Sequence, residues 1–276
     1  MEIKQITGVG LNIILSLDDA FVDFTKTAML SVLNTTNKDV NFYLLTNSDS
    51  ISLKDFDALK KVKDCNIEIA KIPEKLYKYL KKRKIFAHLS EATYFRHFAP
   101  LMLSEVKKAI YLDSDVLVLE DLNSLFETPI GSFEYVKGVE DAASEKKMEF
   151  WGLDRYINAG VLLMNLDFVR RGSNEFYDKI KFFYETWGDK TISGDQDMLN
   201  FLFRPNYLPI KYNLYHPFFN KKFLPKSCSQ EDYYKYCQSP AIIHFVGGRK
   251  PWIKETVHPY KGLWESTFNL LKNLEV

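Results

Sequence analysis

The chain has 276 residues, 46% of them hydrophobic, and its 37 basic residues nearly balance 36 acidic ones. This composition gives no electrostatic reason to expect nucleic acid as a partner, and no apolar stretch approaches the roughly 18 residues of a membrane-spanning helix. The first residues lack the apolar run of a signal peptide, and three cysteines without metal-site spacing indicate a reducing, cytoplasmic compartment with free thiols (a bond between Cys228 and Cys237 is the alternative).

Short apolar runs alternate with helical patterns along the first part of the chain. The predicted strands lie at 11–17, 40–45 and 67–70. The predicted helices lie at 21–34, 53–62 and 91–103. Because strands separated by helices of roughly 10 to 15 residues favour βαβ units, we expect an α/β fold with a mainly parallel, Rossmann-like central sheet flanked by helices.

The second part of the chain begins with an acidic strand and ends in a less regular region. Further strands are predicted at 109–118, 133–139, 160–166 and 241–245. Further helices are predicted at 167–187, 195–203 and 261–274. The segment 205–240 is rich in aromatic residues, proline and asparagine and fits no single element. With no internal repeat or low-complexity linker, we expect one domain over residues 1–276 with an irregular C-terminal portion.

Two carboxylates, Asp113 and Asp115, stand one residue apart inside the apolar run 110–118. Residues two apart in extended backbone point to the same side, so the pair should project together from the end of a buried strand. Two carboxylates in an apolar setting do not both stay ionised without a cation. One interpretation is a divalent metal that clamps a phosphorylated ligand at this edge of the sheet. The other is an ordinary acidic turn between two strands.

Separated short segments between roughly residues 11 and 252 form a specific set. They are Leu17-Asp18-Asp19, Thr93-Tyr94-Phe95-Arg96, Tyr111-Leu112-Asp113-Ser114-Asp115, Asn158-Ala159-Gly160-Val161, Gly194-Asp195-Gln196-Asp197 and His244-Phe245-Val246-Gly247-Gly248-Arg249-Lys250-Pro251-Trp252. In this order the set resembles the retaining glycosyltransferases of family 8, which include bacterial lipopolysaccharide galactosyl- and glucosyltransferases. The resemblance implies the nucleotide-sugar-binding fold called GT-A, a UDP-sugar donor and manganese.

The resemblance also places a metal-binding histidine at His244, beside Asp113 and Asp115. Considered alone, His244 fits a buried histidine that donates to a carbonyl. With two acids present a third ligand is needed, and an imidazole nitrogen beside carboxylates favours Mn²⁺, with Mg²⁺ as the alternative.

Further donor-binding roles follow from the resemblance. Gly247 and Gly248 let the backbone approach a ligand closely, and Lys250 supplies a charge for the β-phosphate. Arg96 is similar to an arginine that lies against the donor sugar and diphosphate, with a structural salt bridge as the alternative. His88 occupies a position where relatives place a donor-binding histidine.

The nucleoside end of the donor is expected near the first strand. Asp18 is similar to an acid that pairs with uracil, and a helix N-cap is the alternative. Relatives have asparagine where Ala20 stands, so base selectivity would rest on Asp18 and backbone groups. Ser114, between the two acids, is also expected to contact the donor.

The sugar end of the donor is expected near the helix that follows Gly194. The resemblance implies catalytic roles for Asp195, which accepts sugar hydroxyls, and for Gln196, which lies beside the anomeric carbon. Ordinary helix-start residues are the alternative. Asn158 is expected to present its amide towards the sugar, and Asp197 to anchor the helix.

We therefore expect a metal-dependent enzyme that moves a hexose from UDP-glucose or UDP-galactose to a glycan or lipid-linked glycan. Two other classes stay open: a nucleotidyltransferase that builds sugar nucleotides, and a non-catalytic nucleotide-sugar-binding module. Asp141 lies at a plausible acceptor position. The basic cluster Lys81-Lys82-Arg83-Lys84 allows weak association with the inner face of a membrane, although a solvated face is the commoner explanation.

Overall fold

A computed structural model describes residues 10–80, 90–142, 144–171, 173–219 and 225–276. His88 and the basic cluster Lys81-Lys82-Arg83-Lys84 lie outside these residues, so the expectations for them stay predictions. Within the described ranges, no helix combines the length and the apolar character that crossing a bilayer requires. Cys65, Cys228 and Cys237 are free thiols.

The elements alternate between strands and helices over much of the chain. The strands are β1 (Leu11–Ser16), β2 (Val40–Thr46), β3 (Asn66–Lys71), β4 (Lys108–Leu112), β5 (Val116–Val118), β6 (Val136–Glu140), β7 (Ile157–Asn165), β8 (Asn206–Leu208) and β9 (Ile242–His244). The α-helices are α1 (Val22–Thr35), α2 (Asp57–Lys60), α3 (Glu74–Tyr77), α4 (Ala99–Met102), α5 (Asn123–Glu127), α6 (Glu145–Trp151), α7 (Leu166–Arg170), α8 (Ser173–Trp187), α9 (Asp195–Phe203), α10 (Gln230–Gln238) and α11 (Lys261–Glu275). Short 3₁₀ helices lie at Asp19–Phe21, Leu53–Phe56, Glu91–Phe98, Gly188–Lys190, Ile210–Tyr212 and His216–Phe219.

Seven strands form the central sheet in the order β3-β2-β1-β4-β7-β6-β8. Strands β3, β2, β1 and β4 are parallel, β7 runs antiparallel to β4 and β6, and β8 is parallel to β6. One strand of seven is therefore reversed, which confirms the mainly parallel sheet. Strands β5 and β9 form a separate antiparallel ribbon in which Val116 pairs with His244.

Apolar side chains cover both faces of the sheet, as expected for a mainly parallel sheet. On β1, Ile13 and Leu15 belong to one core cluster, which includes residues of α1 and α11, while Ile14 belongs to a second cluster, which includes residues of α8 and α9. Successive side chains of a strand point to opposite faces, so the continuous apolar run of β1 serves two layers.

Several predicted boundaries are wrong. The strand predicted at 109–118 is split by Asp113–Asp115 into β4 and β5, and the helix predicted at 167–187 is two helices. The strand predicted from 133 begins at Val136, and Phe133 is 91% exposed. Segment 91–103 is mostly 3₁₀ helix, and the unassigned segment 205–240 contains β8 and α10.

Candidate functional site

A cavity of about 820 Å³ opens where β1 and β4 end and β7 begins. Those ends meet at one edge of the sheet because β7 is antiparallel to β4. The cavity is lined by residues from six separate segments, which are 16–21, 90–96, 111–115, 158–160, 192–196 and 244–253. Ligand sites of open α/β sheets typically lie at this edge.

Asp113, Asp115 and His244 meet in the lining of the cavity. One ligand atom from each residue can be chosen so that all three atoms lie within 4.8 Å of one another. Nε2 of His244 is 3.1 Å from Oδ1 of Asp115 and 3.7 Å from Oδ2 of Asp113. The acids lie between β4 and β5, and the ribbon β5–β9 brings His244 back beside them.

The space around these three side chains depends on Gly160. A Cβ atom at residue 160 would lie 2.1 Å from Cε1 of His244 and 2.8 Å from Oδ2 of Asp113. The carbonyl of Gly160 also accepts the backbone N–H of Asp113 at 2.8 Å. This hydrogen bond fixes the distance between Gly160 and Asp113. Carboxylate oxygens and an imidazole nitrogen suit Mn²⁺ or Mg²⁺. The donor atoms and the room that glycine leaves therefore fit a divalent cation.

Lys250 already provides a positive charge next to these acids. Its ammonium group donates to Oδ2 of Asp115 and, at 2.9 Å, to the carbonyl of Phe245. Burial by itself raises the pKa of Asp115, but Lys250 and His244 outweigh burial and hold that pKa well below its usual range. Asp115 is therefore a carboxylate rather than a carboxylic acid.

Arg96 connects Asp113, one of the two acids of the candidate metal site, with the start of helix α9. Its guanidinium is 3% exposed, donates to Oδ1 of Asp113 at 2.9 Å and also donates to the carbonyl of Ala159. Its Nε lies 3.0 Å from Oδ2 of Asp195, and its Cζ lies 4.4 Å from the centre of the Tyr111 ring. The sequence left two roles open for Arg96, a structural salt bridge and a place beside the donor. In the structure Arg96 makes salt bridges and also lines the cavity.

Asp195 begins α9 directly after Gly194, whose φ is 59°. Burial and the nearby Asp113 raise the pKa of Asp195 and Arg96 lowers it, and the net result is a pKa of about 7. Oδ2 of Asp195 is buried and accepts no hydrogen bond from the residues that the structure describes, because Nε of Arg96 is close to it without hydrogen-bond geometry. A hydrogen-bond acceptor that no described group uses thus lies beside the cavity.

Gln196 is held at both ends of its amide. Its Oε1 accepts the backbone N–H of Ala159 at 3.0 Å, and its Nε2 donates to Oδ2 of Asp141 at 3.1 Å. Asp141 also pairs with Lys147 at 3.1 Å, and its side chain is 8% exposed. Asp141 is not among the residues that line the cavity but contacts Gln196, which does, so its predicted acceptor position stays a prediction.

Asp18 and Ser114 lie on the side of the cavity near β1. The carboxylate of Asp18 accepts the backbone N–H of Ala20 at 3.1 Å, so it caps the turn that follows β1 and faces the cavity as well. The Ser114 hydroxyl is buried and shares a 2.7 Å hydrogen bond with the hydroxyl of Thr25. Asp19 instead accepts from Ser48 at 2.6 Å.

The other predicted residues lie around the same cavity. Asn158 is 6% exposed, and its Oδ1 accepts the backbone N–H of Gly160 at 2.9 Å, so its oxygen is already engaged. Gly247 has φ 75°, in the left-handed region that favours glycine. Gly248 also lines the cavity. Asp197 accepts the backbone N–H of Ser193 at 2.7 Å, which anchors the segment before α9.

The sequence analysis missed Asn213 and a role for Trp252. Oδ1 of Asn213 is 2.9 Å from Nδ1 of His244. The ring of Trp252 lines the cavity and stacks on Phe24 at 3.7 Å between centroids. A single buried asparagine in an irregular segment gives no periodic signal. The motif that ends at Trp252 could have indicated the second residue.

Comparison with known proteins finds a matching family. The family model described as glycosyl transferase family 8 matches residues 12–256. General stress protein A of Bacillus subtilis (strain 168) is 28% identical over 205 residues, which cover 71% of this chain and 70% of that protein. Glycosyltransferase GlyA of Streptococcus pneumoniae serotype 4 (strain ATCC BAA-334 / TIGR4) is 28% identical over 262 residues, which cover 91% of this chain. The chain spans 34% of the length of GlyA.

A solved structure shows the same fold. The crystal structure of the galactosyltransferase LgtC in complex with donor and acceptor sugar analogues matches with a TM-score of 0.81 at 22% identity. The match covers 94% of this chain and 96% of LgtC. The likeness confirms the GT-A fold that the sequence predicted.

Proposed function

The chain belongs to glycosyl transferase family 8, and on that premise we propose that it is a metal-dependent retaining glycosyltransferase. It moves a hexose from UDP-glucose or UDP-galactose to a hydroxyl of a glycan or lipid-linked glycan, and residues 1–276 form its GT-A domain. The observation that carries the proposal is the meeting of Asp113, Asp115 and His244 in the lining of one cavity. Three free thiols support a reducing compartment such as the cytoplasm.

Asp113, Asp115 and His244 would hold Mn²⁺, with Mg²⁺ as the alternative cation. When bound, the cation stabilises the negative charge that develops on the departing UDP. The same charge would attract the ammonium of Lys250, which donates to Asp115 in the protein alone and would contact a phosphate oxygen when UDP is bound. Gly247 lets the backbone of the following segment approach the diphosphate.

The other side chains of the cavity orient the donor. No donor among the described residues makes a hydrogen bond to Oδ2 of Asp195, so this oxygen could accept one from a sugar hydroxyl. Arg96 keeps Asp195 and Asp113 in place. Asp18 and Ser114 also line the cavity and would contact the uridine, and Asn158, likewise in the lining, would contact the sugar.

The transfer breaks the bond between the anomeric carbon and the β-phosphate oxygen and forms a bond from that carbon to the acceptor oxygen. The acceptor loses its proton to the departing phosphate oxygen. Gln196 lies in the cavity with its amide held by Ala159 and Asp141, and a neutral amide is a poor nucleophile. We therefore favour attack on the same face as departure, with the carbonyl of Gln196 stabilising the positive sugar ring.

The test is binding and turnover with defined donors. UDP-glucose and UDP-galactose are incubated with the protein and Mn²⁺, and free UDP is measured; a sugar-nucleotide-forming enzyme or a binding module would release none. In parallel, Asp115→Ala should abolish the Mn²⁺-dependent increase in melting temperature that UDP causes, because one of the three ligands is lost.

The matched control is Asp154→Ala, since the side chain of Asp154 is 71% exposed. This variant should be stabilised by UDP and Mn²⁺ like the parent. Equal stabilisation of the Asp115→Ala variant and the parent would contradict the metal assignment.

A further inference from the structure

Asn213 lies directly behind the imidazole of His244. Its side chain is buried, and its Oδ1 is 2.9 Å from Nδ1 of His244. The backbone holds it there, because the N–H of Leu214 donates to the carbonyl of Ile242 and the N–H of His244 donates to the carbonyl of Leu214, both at 2.9 Å. Asn213 is thus fixed beside the strand that ends at His244.

The direction of each hydrogen bond behind the imidazole follows from one backbone N–H. Because the N–H of Gly160 can only donate, the Asn158 atom 2.9 Å from it is the oxygen Oδ1. The Asn213 atom 2.8 Å from that oxygen is therefore the donor Nδ2. The other end of the Asn213 amide is then Oδ1, which only accepts, so Nδ1 of His244 carries a proton.

When the imidazole is neutral, as metal binding requires, a proton on Nδ1 leaves the lone pair on Nε2. This nitrogen faces the acids, at 3.1 Å from Oδ1 of Asp115 and 3.7 Å from Oδ2 of Asp113. A neutral imidazole binds a metal through the nitrogen without a proton. The other tautomer would point an N–H at the two carboxylates and present no lone pair to a cation between them.

We propose that Asn213 is a positioning residue of the metal centre, which holds His244 in the tautomer and ring orientation that present Nε2 to a divalent cation. The inference rests on the proposed function and extends it to a residue behind the ligands. Removing such a hydrogen-bond partner of a metal ligand typically weakens metal binding about 10- to 100-fold.

The experiment measures the dissociation constant of Mn²⁺ in the presence of UDP, from the electron paramagnetic resonance signal of free Mn²⁺. Asn213→Ala should raise this constant about 10- to 100-fold. Asn213→Asp keeps an oxygen that accepts from Nδ1 of His244 but loses the Nδ2 donor to Asn158, so it should recover part of the affinity. The matched control is Asn200→Ala, because Asn200 is equally buried but hydrogen-bonds to the backbone of Ile157 and Gln196. The control should bind Mn²⁺ like the parent.

Each outcome decides the inference. Parent-like affinity of the Asn213→Ala variant overturns it, and so do equal losses in the Ala and Asp variants, which would indicate packing alone. If the parent binds Mn²⁺ and Asp115→Ala does not, the proposed metal centre survives either of these failures. If the folded parent itself does not bind Mn²⁺, the metal centre and the role of Asn213 are both wrong.

Discussion

At residue 160, the lack of a side chain leaves room for the cluster of Asp113, Asp115 and His244. The nearest atoms to a Cβ there would belong to His244 and Asp113, at 2.1 and 2.8 Å. Side chains and backbone essentially never approach so closely, so the imidazole or the carboxylate would have to move. Because both are candidate ligands, a single methyl group would act on metal binding more than on the rest of the fold.

Gly160→Ala is therefore expected to lower the affinity for Mn²⁺ by at least about tenfold, as displaced ligand partners typically do, and to remove the thermal stabilisation by UDP and Mn²⁺. Overpacking should also lower the free energy of unfolding by about 1–3 kcal/mol. Denaturant unfolding and a Mn²⁺ titration measure the two effects. Gly262→Ala is the control, because a Cβ at Gly262 meets nothing within 4 Å. Parent-like Mn²⁺ binding by the Gly160→Ala variant would show that the cluster is not the metal site.

At the scale of one element, helix α9 concentrates three different tasks in its first turn. Asp197 fixes the preceding segment through the N–H of Ser193, and Gln196 is fixed between Ala159 and Asp141. Asp195 is the member with an unused oxygen, and its burial makes the charged form costly. The helix thus presents to the cavity a carboxyl group whose charged form is costly. The residues next to this group are held by hydrogen bonds.

Asp195 should make the stability of the ligand-free protein depend on pH. Burial raises the pKa of Asp195 to about 7, from an ordinary value of 3.8. The folded state therefore binds more protons than the unfolded state between these values, and this carboxyl group lowers stability as pH rises, by up to about 1.4 kcal/mol per pH unit. Asp195→Asn removes this titration. Its free energy of unfolding, relative to the parent, should increase by roughly 2–3 kcal/mol from pH 5 to pH 7.

The control for this prediction is Asp167→Asn in helix α7. A hydrogen bond from Arg170 holds the pKa of Asp167 below its ordinary value, so Asp167 stays charged in both states above pH 5. The difference between that variant and the parent should be flat from pH 5 to pH 7 in the same denaturation series. A flat difference for the Asp195→Asn variant as well would contradict the raised pKa.

Elements with a strong pattern were predicted closely, and elements defined by neighbours were not. The predicted helix 195–203 coincides with α9, and the predicted closing helix 261–274 nearly coincides with α11. The strand predicted from Phe133 began too early, because an apolar residue next to a strand can lie on the surface, as this one does. Periodicity reports the faces of an element and not its end.

The residues of the candidate site divide in the same way, into those that a local motif predicts and those that depend on neighbouring segments. Asp113, Asp115 and His244 were found because their residue types and motifs indicate metal chemistry, and the structure brings them together. The bridge from Arg96 to Asp113 and Asp195 depends on distances between three segments, which the sequence does not encode locally. Asn213 was missed for the same reason.

At the scale of the molecule, the cavity lies between the seven-stranded sheet and the ribbon β5–β9. The segment 246–250 leaves β9, passes the cavity and reaches Trp252, which stacks on Phe24 of α1 and lies 5.7 Å from Trp264 of α11. Among the described residues, no backbone N–H within 246–250 donates a hydrogen bond to the protein. The segment is thus anchored at both ends and has unpaired donors between them.

Unpaired backbone donors beside a cavity are suited to bind phosphate oxygens. We expect amide hydrogen exchange of residues 246–250 to slow when UDP and Mn²⁺ bind together, because the diphosphate would accept these N–H groups and hold the segment closed. Strands β1 and β4 should exchange at unchanged rates. Exchange within 246–250 that does not respond to the two ligands would contradict closure of this segment.

The contact that anchors Trp252 should determine how much conformational entropy the segment 246–250 loses when the donor binds. Trp252→Ala removes the stacking on Phe24, so more freedom is lost on binding and the KM for the UDP-sugar should rise about tenfold, the effect of losing about 1.4 kcal/mol of binding energy. Phe268→Ala is the control, because Phe268 stacks on Trp264 at 5.1 Å in the same aromatic group and does not line the described cavity. Its KM should stay near that of the parent. Equal increases in KM for both variants would indicate that packing of α11, rather than the anchor of the segment, sets donor affinity.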